Sequence, residues 1–137
     1  MPGGASVWAL LDELSAIVKQ VEASNDPAFG TTGVKLREAL EALRRTSKWL
    51  LERVTSAPNE ALAGATPYLQ QFGATLGGCM LASEALAAKS DGIADAGRYV
   101  SLARFFAENI AVQAGALERT VTESAESVAA ADAVLLG

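Results

Sequence analysis

Several residue types that build common catalytic and metal sites are absent or scarce in this chain of 137 residues. It contains no histidine, which excludes Ser-His-Asp triads, Cys-His pairs and metal sites that need imidazole ligands. Its single cysteine, Cys79, excludes an internal disulfide bond and any metal site built from several cysteines. These absences remove every site that depends on histidine or on paired cysteines.

Basic charge and long apolar runs are scarce too. The formal net charge is −5 and the isoelectric point is about 4.7, which argues against a nucleic-acid-binding protein. No apolar run reaches the roughly 18 residues that a membrane span needs, and residues 1–6 do not resemble a secretory signal. A lone cysteine suits a reducing compartment. We therefore expect a cytoplasmic protein with no nucleic-acid partner and no membrane span.

What the chain does contain is a helical apolar period. Half of the residues are apolar and the mean hydropathy is +0.23, enough for a packed core in one domain. Alternation typical of strands is nearly absent, whereas the helical period occurs four times. We predict an all-α fold, an antiparallel up-down four-helix bundle in which helices 3 and 4 are longer than helices 1 and 2. Residues 6–131 would form this single domain, with a disordered start or linker at 1–5 and a frayed end at 132–137.

The first two helices have clear limits. Helix 1 is predicted over 6–24, with Ser6 as its N-cap and Asn-Asp-Pro at 25–27 as its stop. Helix 2 is predicted over 32–56. Its apolar stripe consists of Leu36, Leu40, Leu43, Ser47, Leu50 and Val54.

The last two helices leave alternatives open. Helix 3 is predicted over 59–89, with a stripe through Leu62, Leu69, Phe72, Leu76 and Cys79. Pro67 interrupts it, so either the helix kinks within 64–67 or a main helix begins with Thr66 as N-cap and Pro67 at its first position. Helix 4 follows Ser-Asp-Gly at 90–92 and extends to about residue 131. It is either broken or half of a long hairpin with helix 3.

Two groups of residues carry possible chemistry. Glu38 with Glu41, and Glu123 with Glu126, have the spacing of carboxylates on one helix face, but a di-iron site also needs histidine. The carboxylate pairs are therefore predicted to be solvated. Cys79 lies in mid-helix on the apolar stripe, which predicts a buried structural cysteine rather than a reactive thiol.

Glycines and an aromatic pair favour a contact surface. Gly73, Gly77 and Gly78 lie within a predicted helix, where glycine lowers stability. They allow either a close helix crossing or the approach of a ligand or partner helix. Phe106 lies on the predicted core stripe, so Phe105 is expected to face a second surface. Arg and aromatic residues are enriched at such interfaces.

A family resemblance accompanies these features. The order of motifs resembles the extra C-terminal helical domain of a branch of acyl-CoA dehydrogenases that includes 3-methylmercaptopropionyl-CoA dehydrogenase. The motifs are Ala-Thr-Pro-Tyr-Leu at 65–69, Phe-Gly at 72–73, Leu-Gly-Gly at 76–78, Tyr at 99 and Ala-Arg-Phe-Phe-Ala-Glu at 103–108. The chain departs from the family pattern where Asn109-Ile110 replaces a frequent His-Pro, and where Cys79 replaces a frequent aromatic residue.

The resemblance implies a non-catalytic domain. The parent enzymes remove an α-proton from an acyl-CoA thioester and pass a hydride to FAD, but no residue here corresponds to their catalytic base. We therefore expect no cofactor bound by this domain alone, FAD in the parent enzyme, and a dehydrogenase core or further copies of the chain as partners. The expected interface residues are Tyr68, Gly77, Gly78, Arg104, Phe105 and Glu108. The alternatives are a free-standing, self-associating helical adaptor and, less favoured, a small-molecule carrier.

Overall fold

The computed structural model describes residues 2–136, apart from the side chains at 2, 3, 125, 126, 128, 129, 132 and 136. It confirms the all-α class, because within that range there are six α-helices, two short 3₁₀ turns and no strand. The α-helices are α1 (Pro2–Ala23), α2 (Thr32–Ser56), α3 (Pro58–Ala63), α4 (Ala65–Ser90), α5 (Ala96–Asn109) and α6 (Ala114–Leu136). None of the described helices is long and apolar enough to cross a membrane.

The core lies where α1 and α2 pack together and against α4, while α5 packs on α4 and α6 packs on α2 and α3. The predicted stripe of helix 2 contributes five of its six residues to this core. The large side chains that are fully buried include Leu11, Leu14, Leu36 and Leu43. Burial of each such side chain stabilises the fold by about 1.5–3 kcal/mol, and this supplies the main driving force for the packing. Val54, by contrast, is exposed at the end of the helix 2 stripe.

Both ends of α2 and the C-terminal end of α4 agree with the sequence. The helix at Thr32–Ser56 has the predicted limits. In the turn before it, the Asp26 carboxylate accepts a hydrogen bond from the Ala28 amide (2.9 Å), and Gly30 has a positive φ of 53°. The connection after α4 turns at Gly92, whose φ is 66°. Glycine is favoured at both turns because left-handed backbone strains other residues.

The N-terminal limit of helix 1 differs from the predicted one. The helix α1 begins at Pro2, so Ser6 lies inside it and is not the N-cap. Residues 2–5 belong to α1 rather than to a disordered start, and Met1 lies outside the described residues. Gly4 is buried, and a β-carbon there would lie 3.7 Å from Leu51 Cδ1. Packing of this first turn on α2 explains why the helix extends further than its apolar pattern.

Helix 3 is divided at Gly64. α3 ends at Ala63 and α4 begins at Ala65, so Thr66 is not the N-cap and Pro67 is the third residue of its helix. The break lies within the interval 64–67 expected for a kink. Gly64 is buried, and a β-carbon there would lie 2.8 Å from Val121 Cγ1. Close approach to α6 therefore requires glycine at this joint.

Helix 4 is also divided, so the predicted four helices become six. The chain leaves α5 at Asn109, makes a 3₁₀ turn over Ala111–Gln113, and continues as α6 to Leu136, beyond the predicted limit at 131. The Gln113 side chain donates to the Asn109 carbonyl oxygen at 3.1 Å, which satisfies a helix-end acceptor. Helices 3 and 4 are consequently not the long pair predicted, since α4 has 26 residues and α2 has 25.

Candidate functional site

The outer face of α5 exposes apolar side chains that the core leaves uncovered. Phe105 is 59% exposed and Leu102 is 51% exposed, and they lie on the same side of α5. Phe106, one residue further, is half-buried and packs against the core. This confirms that the two rings point in different directions. The pair Leu102 and Phe105 is a surface that a partner can cover.

The predicted interface glycines lie beneath that surface. A β-carbon at Gly77 would lie 3.0 Å from Phe106 Cζ, and one at Gly78 would lie 2.6 Å from Leu36 Cδ2. Gly78 is buried between α2 and α5. Close helix packing, one of the two alternatives from the sequence, therefore accounts for both glycines without an external ligand.

Arg104 and Glu108 connect α5 to the loop before α2. Arg104 Nε donates to Glu108 Oε1 at 3.0 Å, and the same carboxylate oxygen accepts from Thr31 Oγ1 at 2.8 Å. The hydrogen bond from Thr31 and the neighbouring Arg104 guanidinium lower the pKa of Glu108. A β-carbon at Gly30 would lie 2.5 Å from Arg104 Nε, so the guanidinium rests against that turn. These contacts fix the α5 edge beside Phe105.

Tyr68 lies in the first turn of α4 and contacts α2. Its hydroxyl is 2.7 Å from Ser47 Oγ on α2, and its ring packs edge-on against Phe72 with centroids 5.9 Å apart. Burial raises the pKa of the Tyr68 hydroxyl, although the Ser47 hydrogen bond partly opposes this. Its contacts place Tyr68 at the edge of the core between α2 and α4.

A second exposed surface was missed by the sequence analysis. Leu62 and Leu69, predicted for the core stripe of helix 3, are 74% and 68% exposed, so that stripe is wrong at both positions. The buried face of α4 instead carries small and polar residues: Gln71, Thr75, Gly78, Cys79, Ala82, Ala85 and Ala88. Small side chains allow the neighbouring helices to pack closely, and this turns the leucines outward. The absence of charged residues from 61–83 is the sequence feature that could have indicated this exposed surface.

Cys79 is fully buried, as predicted. Burial raises the pKa of its thiol to about 12, because the apolar core disfavours the thiolate.

We expect Cys79 to be inert in the folded protein. At pH 8 the thiol is protonated and inaccessible, so a maleimide or disulfide reagent should react at least about a hundredfold more slowly than in urea. The time course of labelling, followed by mass spectrometry, measures this. Equal rates in the folded and unfolded protein would contradict the burial of this side chain.

The carboxylates offer no metal site among the described residues, since no group of three or more potential ligands converges there. Glu38 lies 3.9 Å from Lys35 and Glu123 lies 4.0 Å from Arg119, each as an exposed ion pair. The side chain of Glu126 lies outside the described residues. Glu38, Glu41 and Glu123 are exposed to solvent, as the sequence predicted.

Comparison with known families gives one match. The sequence model described as "Acetyl-CoA dehydrogenase C-terminal like" matches residues 10–132. No curated protein and no solved structure matches the chain in the same comparisons. The match spans most of the chain and includes both exposed apolar surfaces.

Proposed function

Because this chain belongs to the family of acetyl-CoA dehydrogenase C-terminal-like domains, we propose that it serves an acyl-CoA dehydrogenase as a non-catalytic helical domain. In this proposal it packs on the dehydrogenase core, contributes to oligomerisation and works in the cytoplasm. The parent reaction is α,β-dehydrogenation of an acyl-CoA thioester with FAD as hydride acceptor. The branch that includes 3-methylmercaptopropionyl-CoA dehydrogenase is the proposed relative, and an antiparallel up-down arrangement of the long helices is the proposed architecture.

The residues that the structure describes do not fit a flavin site. One surface cleft, of about 430 Å³, is lined by Asp95, Arg98, Tyr99 and Leu102, which all lie on or beside α5. A ligand site normally surrounds most of its ligand, and one helix cannot do so. Among the described residues, the one buried side-chain atom without a polar partner is Gln71 Oε1, which lies in the core. FAD is therefore assigned to the parent core.

The surface proposed to bind the dehydrogenase core is the outer face of α5. Phe105 and Leu102 are exposed, uncharged and held on a helix whose edge is fixed by Arg104 and Glu108. Exposed apolar residues next to an arginine are typical of the centre of a protein interface. The observation that carries the function is the family match, and this surface is where we propose that the core binds.

We expect the chain to bind an acyl-CoA dehydrogenase core encoded in the same reading frame or in the neighbouring gene. Sedimentation of the purified, FAD-loaded core with this chain should show a complex. Phe105→Glu should weaken that complex at least about tenfold, because it places a charge in an apolar contact. Val54→Glu is the matched control, since Val54 is an exposed valine on α2 far from α5 in sequence.

Two results would contradict the proposal. One is the absence of any dehydrogenase core that binds the chain. The other is stoichiometric binding of FAD or a long-chain acyl-CoA by the chain alone, which would favour the small-molecule carrier. A defined oligomer that no flavoprotein perturbs would favour the free-standing adaptor.

A further inference from the structure

The outward face of α4 is unusual for a helix exposed to water. Five residues with alternating spacings of three and four share this face, and we call them the outer stripe: Thr66, Leu69, Gly73, Leu76 and Met80. Leu69 is 68% exposed and Met80 is 42% exposed, whereas Leu76 is half-buried because part of its side chain packs against the core. Exposed helix faces normally carry charge. Residues 61–83 contain no Asp, Glu, Lys or Arg on any face.

No contact within the protein explains why position 73, at the centre of the outer stripe, is a glycine. It lies inside α4, where glycine costs about 1 kcal/mol relative to alanine. Apart from its chain neighbours and the adjoining helix backbone, no atom lies within 4 Å of where its β-carbon would be. Gly77 and Gly78, in contrast, are required by contacts with Phe106 and Leu36. A helix that crosses α4 closely from outside would give Gly73 the role that those contacts give its neighbours.

We propose that the outer stripe pairs two copies of this chain, with α4 crossing α4 of the second copy in antiparallel orientation at Gly73. The stripe reads alike in both directions from this glycine: Thr66 and Met80 lie seven residues away, and Leu69 and Leu76 lie four and three residues away. A two-fold axis at Gly73 therefore sets leucine against leucine and threonine against methionine. Such self-complementarity is what a two-fold symmetric interface requires.

Charge does not oppose a second copy at this face. Each chain carries a net charge of −5, so two copies repel one another over most approaches. Because residues 61–83 contain no charged side chain, this face would bring no like charges together in a symmetric pair. The outer stripe spans about 21 Å at 1.5 Å per residue. One helix pair of that length is small for an interface, so a weak, concentration-dependent dimer is expected.

The inference rests on the oligomerising part of the proposed function and is independent of core docking through α5. Sedimentation of the chain from roughly 1 µM to 1 mM should show a monomer–dimer equilibrium. Gly73→Leu should raise the dissociation constant at least about tenfold, because a side chain at the crossing separates the helices. Gly115→Leu is the matched control, because the same substitution there also enters open space, but on α6.

A second pair of variants tests the apolar contact. Leu69→Glu should also raise the dissociation constant at least about tenfold, whereas Leu62→Glu should change it less than about twofold. Leu62 is the more exposed of the two leucines and lies on α3, outside the stripe. Circular dichroism of all four variants checks that helix content is unchanged.

Disulfide trapping tests the orientation. The double variant Thr66→Cys, Met80→Cys should give a covalent dimer under mild oxidation, since an antiparallel crossing at Gly73 sets residue 66 of one copy beside residue 80 of the other. Thr66→Cys alone should not, because the two copies of residue 66 lie at opposite ends of the crossing. Cys79 does not compete because it is buried. Gly115→Cys should remain monomeric under the same conditions.

Three outcomes would overturn the inference. They are a monomer at every concentration, a dimer that the stripe variants and their controls affect equally, and loss of core binding in Leu69→Glu without a dimer of the unmodified chain. The last would assign the stripe to the core instead. A monomer that still binds the core through Phe105 would leave the proposed function intact, whereas a stripe-mediated dimer that binds no core would leave only this inference.

Discussion

Gly78→Leu is expected to lower the free energy of unfolding by about 3 kcal/mol. Gly78 is buried, and a β-carbon there would lie 2.6 Å from Leu36 Cδ2 and 3.4 Å from the Ala111 β-carbon. Leu36 is fully buried and cannot move into solvent, so the added side chain must separate α4 from α2. Urea unfolding followed by far-ultraviolet circular dichroism measures the change.

The matched control is Gly73→Leu on the same helix, measured at a concentration at which the chain is monomeric. No atom lies within 4 Å of a β-carbon at Gly73. Leucine has the better helix propensity, so this variant is expected to be neutral or more stable by up to about 0.8 kcal/mol. Equal destabilisation by the two substitutions would refute the distinction between a packed and an open glycine.

Gln71→Glu is expected to lower the free energy of unfolding by about 3 kcal/mol or more at pH 7. Gln71 is fully buried, and its side-chain amide donates to the Ala114 carbonyl oxygen at 3.1 Å. Ionised, the introduced carboxylate has no proton to donate and sets a negative charge against that oxygen. Gln70→Glu is the control, because Gln70 is the exposed neighbour and its substitution should have little effect.

The destabilisation by Gln71→Glu should depend on pH with a definite sign. Burial raises the pKa of the introduced carboxyl in the folded state above its unfolded value of about 4.3. The folded state then binds the proton more tightly, so the variant is least destabilised below about pH 4 and loses stability as pH rises. Below that pH the protonated carboxyl can donate to Ala114 as the amide does. A pH-independent difference from the unmodified chain would show that lost packing, rather than buried charge, causes the effect.

The helices that the sequence predicted well are those with one large apolar face. In α2, leucines at a regular spacing lie opposite charged residues, so only one face can be buried, and the buried leucines are the predicted ones. α4 lacks that contrast. Its leucines and its alanines are both apolar, and the stripe of large residues predicted the wrong buried face at Leu69. Periodicity alone cannot rank two uncharged faces of one helix.

In the candidate site, too, some features were predictable from the sequence and others were not. The outward direction of Phe105 was predicted because it and Phe106 are 100° apart on a helix and Phe106 continues the core stripe. The contact of Glu108 with Thr31 was not predictable, since it joins residues 77 positions apart in the chain. The roles of Gly73 and Gly78 also differ only through their neighbours. One faces open space and the other faces Leu36.

The sequence by itself determined the helical class, the limits of α2, the turn at Gly92, the burial of Cys79 and the family resemblance. These depend on local periodicity, turn chemistry and the order of motifs, which can be determined from the sequence without knowledge of the tertiary contacts. Only the tertiary structure decided between the two alternatives around Pro67, placed the break after Asn109 and set the outward face of α4. Those features follow from how closely α6, α2 and α5 approach α4, because the helices adjust their ends and rotations to fill the space between them.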